Sequence, residues 1–451
     1  MALFNQIDLA TTVTAERLDA EHFRPDFMNA EQIITSLSSK VLGVVAKDIH
    51  RGVQPAYDKE GTIPALRTVN ITTQGVNNTR QELVSEAFAR KNKRGQVFPG
   101  DILVTSTGVG TLGRAVYYDD EGPAFADGHI TIIRNLTDYE PLVLVTFLQS
   151  VFGQAMIERR QRGSSGQIEI YPFDFSSMPL PILPSKTEQN IKKYVLEAHS
   201  LKRVARSCYA DAEAILTAAL GLDHIDLSPR LFYEDTFVHA AAVGRLDAEY
   251  FSPGTQRVIE ILSAGGQTIG DVAPLAKRRF KAIPGKPFDY IEIANIGEGG
   301  TAVSNTVAGE DAPSRATWIV KPGDVITSTV RPIRRLTAII LPEQDGFVCS
   351  SGFVVLRPRD IEPELLMTYL RLPLIAELLD LHTTASMYPA ISTTDLLRIP
   401  FRLPDAESRT EIVAKVRESF SARAESLTLL DEAKRIVEEA ITDKEPNVQQ
   451  N

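Results

Sequence analysis

Cysteine is almost absent. Two residues, Cys208 and Cys349, among 451 cannot build a disulfide framework or a thiolate-rich zinc site, and they point to a reducing, cytoplasmic compartment. No stretch approaches the roughly 18 uninterrupted apolar residues of a membrane span, so no membrane partner is expected. The opening MALFNQIDLATTV has no basic leader followed by an apolar core, which argues against secretion. Positive charge is also in deficit. A net charge of -10 argues against a coat that binds nucleic acid indiscriminately, while leaving room for a local basic face.

Catalytic signatures are missing as well. There is no GxxxxGK(S/T) phosphate loop, no HExxH, no paired Cys-x-x-Cys and no (D/N/S)PP(Y/F) run that would hold a flipped base. The seven histidines are scattered along the chain. Gly108-Val109-Gly110-Thr111-Leu112-Gly113 is formally GxGxxG, but a dinucleotide site needs that loop to run from a strand into a helix. Here RAVYYDD follows, a strand pattern, so the segment reads as a glycine-rich turn between two strands. Pro99-Gly100-Asp101 and Pro322-Gly323-Asp324 begin like a nuclease PD motif and read instead as turns leading into strands.

What the chain does have is a long internal repeat. RLDAEHFRP at Arg17 returns as RLDAEYFSP at Arg245, Leu3-Phe4 as Leu231-Phe232, PGDILVTST at Pro99 as PGDVITST at Pro322, and Glu140-Pro141 as Glu362-Pro363. The offset drifts from 228 to 223 to 222, as in two diverged copies with small insertions and deletions. Solenoid units recur every 20 to 50 residues or so. Each copy here is large enough for its own core.

Both copies follow one plan. From about 41 to 184, β-rich runs such as DILVTST and HITIIR are punctuated by turn signals. LVLVTFLQSVFGQAMIE then reads as helical, and MPLPILP, ending at Pro184, blocks any helix before it. From Ser185, which forms a capping-box pattern with Glu188, apolar or small residues recur at Ile191, Tyr194, Ala198, Leu201, Ala205, Cys208, Ala212, Ile215 and Ala219. The steps of 3 and 4 make a heptad seam, with Gly221 as its stop. In the second copy Val413, Val416, Phe420, Leu427, Leu430, Val437 and Ile441 hold the seam, interrupted by Arg423 and Lys434.

Residues 405–445 carry eleven carboxylates against seven Lys and Arg, so part of the negative balance sits on this helix. A lone seam helix leaves its stripe bare. The economical inference is that the two pack on each other, antiparallel; the alternative is that each packs on its own domain. A helix of about 35 residues rises roughly 50 Å, the length of about 15 base pairs of B-DNA. Two related heads on such rods would match the paired half-sites of DNA readers.

Basic clusters stand on the loops where the copies differ: Arg90, Lys91, Lys93, Arg94, Arg114, Arg159, Arg160 and Arg162 in the first, and Lys277, Arg278, Arg279, Lys281, Arg331, Arg334 and Arg335 in the second. Arginine neutralises phosphates, and Arg, Gln and Asn can address base edges bidentately.

The chain resembles the specificity (S) subunit of Type I restriction-modification systems over nearly its whole length. The carriers are PGDILVTSTGVGTLGRA, then GSSGQIEIYPFDFSSMPLPILPSKTEQ leading into a long helix, and its counterpart TTASMYPAISTTDLLRIPFRLPDAES. The resemblance implies an α+β fold: two similar mixed α/β target-recognition domains separated by two long antiparallel coiled-coil-like spacer helices. The implied divisions are a first domain at 1–184, a spacer helix at 185–221, a connector at 222–250, a second domain at 251–404 and a spacer helix at 405–445. Each domain would read half of a split, asymmetric site in double-stranded DNA.

The implied partners are two modification (M) methyltransferase subunits, which hold S-adenosylmethionine, and a motor-nuclease restriction (R) subunit. The chain itself would be non-catalytic and carry no cofactor and no metal. Carried over, the DNA contacts fall at Arg51, Gln54, Tyr57, Arg67, Asn70, Thr107, Arg114, Arg162, Ser164, Ser165 and Gln167, and at Arg278, Arg279, Lys281, Asn295, Arg331, Arg334, Arg335, Thr383, Ser386 and Tyr388. The alternative from another class is a stand-alone DNA methyltransferase or nuclease with an unrecognised active site; a third is a scaffold that binds no DNA.

Overall fold

The structure is a computed structural model that describes residues 5–77, 82–163, 168–226, 228, 230–384 and 387–443. It divides into two units. The first takes the chain up to Lys202 and again from Ala424, and the second is Arg203–Arg423.

Each unit is built on two larger sheets, and their topologies match. In the first unit one sheet has the order Glu82–Val84, Ile63–Leu66, Ala124–Ala126, Gln96–Val97, with antiparallel, parallel and antiparallel pairings. In the second unit Asn305–Val307, Phe288–Ile291, Val348–Ser350 and Ala316–Ile319 repeat that order and those directions. The other sheet of the first unit is Ala46–Arg51, Ile130–Leu136, Ile102–Thr105, Ala115–Tyr117, all antiparallel. Its counterpart retains Phe353–Leu356, Val325–Ser328 and Thr337–Ile339, with an isolated bridge, Leu275 to Leu356, where the fourth strand would pair.

The continuous apolar runs of these strands have a physical reason. Ile102, Val104 and Ile133 enter a core under the helices, while Leu103, Ile130 and Ile132 face a second core. Val325, Val354 and Leu356 against Ile326, Phe353 and Val355 divide the same way in the second unit. A sheet covered on both faces must be apolar at successive positions.

The repeated RLDAE motif proves to be a clamp on a helix end. Arg17 pairs with Asp19 and donates to the carbonyls of Arg160 (3.3 Å) and Gln161 (2.6 Å), at the end of helix Val151–Arg160. Arg245 pairs with Asp247 and donates to Leu381 O at 2.7 Å, the last carbonyl of helix Pro373–Leu381. A cation there satisfies orphan carbonyls and the negative end of the helix dipole. The repeat extends to two short helices, Leu9–Ala15 and Phe237–Val243, each capped by a side chain and each ending on a left-handed residue, Glu16 or Gly244.

The long helices are Ser185–Leu220 and Ala406–Thr442. Gly221, at φ 70°, ends the first, with Leu222 N–H reaching back to Thr217 O at 2.9 Å, a left-handed C-terminal cap. The helices do pack on each other: Ser426 Oγ donates to Ala198 O at 2.8 Å in the first unit, and Ser419 Oγ to Ala205 O at 2.7 Å in the second. Lys415 to Asp211, 3.1 Å, together with Ser419 to Ala205, shows the opposed directions within the second unit.

The seam expected from sequence is corrected in detail. The buried stripe of the first helix runs through Ile191, Val195, Ala198, Ala205, Cys208, Tyr209, Ala212, Leu216 and Leu220, whereas Tyr194, Leu201, Ile215 and Ala219 are only half-buried. Small residues (Ala198, Ala205, Ser419, Ser426) make the helix-to-helix contact. The larger ones beside them pack into the domain cores: Ile191 and Val195 with the first, Tyr209, Leu216 and Leu220 with the second. Both packing alternatives therefore hold at once. Of the polar interruptions, Arg423 is an ion-pair partner of Glu298 at 3.5 Å, which Arg206 also reaches at 3.2 Å.

Candidate nucleic-acid interface

The connection that follows the first buried strand of the antiparallel sheet occupies the same place in both units. It bridges to a later loop through Thr107 and Glu169 in the first unit, and through Val330 and Ala390 in the second. Gly108 leaves the strand at φ 98°, and Arg331, its counterpart, at φ 51°. The GxGxxG segment is therefore a turn between Ile102–Thr105 and Ala115–Tyr117. Arg114 lies across it, donating to Gly110 O at 2.7 Å. It forms no ion pair among the described residues, and burial draws its guanidinium pKa down.

Around the Thr107–Glu169 bridge the first unit gathers Arg51, Thr107 and Arg162. Arg51 donates to Glu169 Oε2 at 3.0 Å and Ile170 O at 3.1 Å. Arg162 binds the buried Asp174 at 2.9 Å, which raises the guanidinium pKa. Arg51 lies over Tyr171 (4.7 Å) and Arg162 over Phe173 (5.1 Å). Neither ring was singled out from sequence, although the aromatic-x-aromatic spacing of YPFDF was there to be read.

Tyr57, Arg67 and Asn70 come from the other sheet's connections. Arg67 stands 5.9 Å from the exposed Tyr57 ring and 3.7 Å from Glu82, and burial raises the Tyr57 hydroxyl pKa. Gln54 is exposed. Asn70 is fully buried: its Oδ1 accepts from Arg67 N–H at 2.9 Å, and its Nδ2 donates to Asn77 O at 3.0 Å. The side chain closes a turn. Ser164, Ser165 and Gln167 lie outside the described residues.

In the second unit Asn295 makes the same turn as Asn70, accepting from Glu292 N–H at 2.7 Å. Arg278 is held by a carboxylate. Its guanidinium pairs with the fully buried Asp324, which also holds Arg357 at 2.7 Å; burial pushes the carboxyl pKa of Asp324 up, against the pull of both cations. Asp101 in the first unit does the same work with Arg134, at 2.7 Å. The PGD segments are thus turns that close on a buried ion pair.

Arg335 is drawn to Glu213 and to Arg371 O, and Thr383 donates to Asp380 O at 2.7 Å. Arg279, over Trp318 at 5.5 Å, is exposed, as are Lys281 and Arg334. Arg331 lies 5.6 Å from the ring of the exposed Tyr388 and donates to Met387 O at 3.2 Å. Ser386 lies outside the described residues. Of the flanking clusters, Arg159 and Arg160 are spent on Glu31, whereas Lys91, Lys93 and Arg94 are exposed.

Among the described residues no group of three or more His, Cys, Asp or Glu could hold a metal ion, and no single helix is long and apolar enough to cross a membrane. No family model matches the sequence, and no curated protein matches it. Among solved structures the chain is similar to the Type-I restriction-modification S subunit from M. genitalium, at 14% identity over 90% of this chain and 94% of that one, with a TM-score of 0.34. It is similar to the HsdS subunit from Thermoanaerobacter tengcongensis, at 16% identity over 89% and 96%, TM-score 0.26. It is similar also to a chain of a type I R-M system described for its complex assembly and conformational transition, at 17% identity over 89% and 97%, TM-score 0.29. Identities this low and TM-scores below 0.5 leave the functional reading to the residues themselves.

Proposed function

We propose that the chain is the non-catalytic DNA-specificity subunit of a cytoplasmic Type I restriction-modification complex. Its two domains, 1–184 and 251–404, each read one half of a split, asymmetric site, and the helices at 185–221 and 405–445, with the connector 222–250 between, set the gap and dock two M subunits, joined by R subunits for restriction. One observation carries the reading: a single sheet framework occurs twice, and the exposed cations and rings stand on the connections where the two copies differ. A frame that is constant while its loops vary is what two half-sites of unlike sequence require.

The contacts proposed for bases and phosphates are Gln54, Tyr57, Arg67, Thr107 and Arg114 in the first domain and Arg279, Lys281, Arg331, Arg334 and Tyr388 in the second. Alanine at a base reader costs about 1–3 kcal/mol and relaxes one position, while alanine at a phosphate contact weakens all sequences alike. Selection of duplexes from a random pool, by the chain alone and with an adenine methyltransferase partner, should enrich a two-part sequence with a constant gap. Enrichment of nothing in either arm overturns the reading in favour of a protein scaffold. Methyl transfer from labelled S-adenosylmethionine by the chain alone overturns it in favour of an enzyme.

A further inference from the structure

We propose that Tyr171 and Phe173 form a stacking platform for an unstacked DNA base, with Arg51 and Arg162 as its positioning residues rather than as phosphate ligands. This rests on the DNA-reading function and names how the first unit carries it out.

The rings lie parallel, 5.7 Å between centroids and 7° between planes. They are not core residues: Tyr171 is 37% exposed and Phe173 59%. An exposed ring ordinarily samples several rotamers, and these are held. Asp174 fixes the backbone that bears both, with Oδ2 accepting from Tyr171 N–H at 3.0 Å, and its Oδ1 holds Arg162 at 2.9 Å. Asp174 is itself buried, at 4% exposure. On the other ring, Arg51 is anchored to Glu169 and to Ile170 O, and Glu169 is bridged to both Thr107 and Arg162. Two carboxylates thus neutralise two guanidiniums.

Neutralised arginines gain little from a phosphate. Laid against aromatic faces, they instead lock the rings in place through cation–π contact. A rigid, planar, partly exposed aromatic surface costs little ordering on binding, and its natural ligand in a DNA reader is the face of a base that has left the helical stack.

The second unit differs here: in the register of the two bridges Ser392 and Thr394 stand where Tyr171 and Phe173 do, and its exposed ring, Tyr388, comes before the bridge. Tyr388, 68% exposed, lies beside the Val330–Ala390 bridge under Arg331, and Arg331 forms no ion pair among the described residues. Where the first unit has a neutral pair of rings, the second has one ring and an unneutralised cation. Stacking in the first half-site should therefore be insensitive to salt, and contact at Tyr388–Arg331 sensitive.

The test uses the full chain and the duplex it enriches, with 5-iododeoxyuridine substituted position by position for photo-crosslinking, and with titrations at several salt concentrations. The expected result is a cross-link on Tyr171 or Phe173 from one half-site. Phe173→Leu, which keeps apolar bulk without the π face, should weaken binding about ten-fold or more with an unchanged salt slope, and Phe173→Trp should restore it. A thermal melt matching wild type shows that Phe173→Leu remains folded. Wild-type affinity in Phe173→Leu and Tyr171→Leu, with cross-links only elsewhere, overturns the platform and leaves DNA reading standing. So does a flatter salt slope in Arg162→Ala, which would make that arginine a phosphate ligand. Failure of the wild-type chain to enrich any duplex overturns both.

Discussion

The two units hold the same turn with opposite residues. After the buried strand, the first unit turns on Gly108 at φ 98° and the second on Arg331 at φ 51°. A left-handed backbone suits glycine and strains arginine by about 1–2 kcal/mol. The second unit tolerates this because its turn arginines are anchored, Arg331 on Tyr388 and Met387 O, and Arg335 on Glu213 and Arg371 O. The frame carries the conformation, and the residue occupying it is free to be chosen for charge. Strain retained at such a place is a pointer to function.

The largest difference between the units is expected at the PGD carboxylates. Asp324→Ala takes from the part-exposed Arg278 and Arg357 their shared carboxylate and should cost about 3 kcal/mol. Asp101→Ala, which strands a single guanidinium, that of Arg134, should cost less. Hydrogen exchange read separately over the sheets of each unit checks it, and equal losses would mean that the two turns are not energetically different.

Next come the helix-end clamps. Arg17→Ala and Arg245→Ala each remove charge-assisted bonds to terminal carbonyls and should cost about 1.5–3 kcal/mol by chemical denaturation. Each should loosen its own helix end, Val151–Arg160 or Pro373–Leu381, in exchange measurements; an effect of neither would reduce the RLDAE repeat to ancestry without function. Gly108→Ala follows, at about 1–2 kcal/mol, since its Cβ would also meet Thr111 Oγ1 at 2.6 Å. Arg331→Gly should change stability by less than about 1 kcal/mol, because relief of strain is offset by added freedom of the unfolded chain. A large loss there would show that Arg331 holds the fold.

The smallest effect is one of pH. Burial lowers the pKa of His22 and His382 below the ordinary imidazole value of 6.5. His22 Nδ1 meets Arg159 O at 2.8 Å, and His382 Nδ1 faces Arg245 at 3.1 Å. The unfolded chain then takes up protons first on acidification. Stability contributed by the neutral rings is complete above about pH 6.5 and declines as the pH falls below it. Melting temperature should hold from pH 8 to 7 and drop toward pH 5, with a shallower drop in His382→Gln and His22→Gln.

Much of this was legible beforehand because it depends on local order. The repeat offsets, the strand runs, the glycine turn and the helix stop at Gly221 are properties of short segments. The partners of charged groups were not legible. Arg278, Arg335, Arg159 and Arg160 look like surface cations in a linear reading, and each turns out to be matched to a carboxylate far along the chain: Asp324, Glu213, and Glu31 for the last two. Nor was it legible that the Asn70 and Asn295 side chains close turns. The helix seam was legible as a period but displaced by one residue at about half its positions, since periodicity alone does not reveal that a helix must face a partner helix and a domain core together.

By itself the sequence determined that one framework is built twice and that each copy is followed by a long amphipathic helix, because repetition and period are local and need no partner to be read. Only the tertiary structure decided which arginines are spent inside and which rings stand exposed, because burial and ion pairing are made between residues that the order of the chain does not bring together.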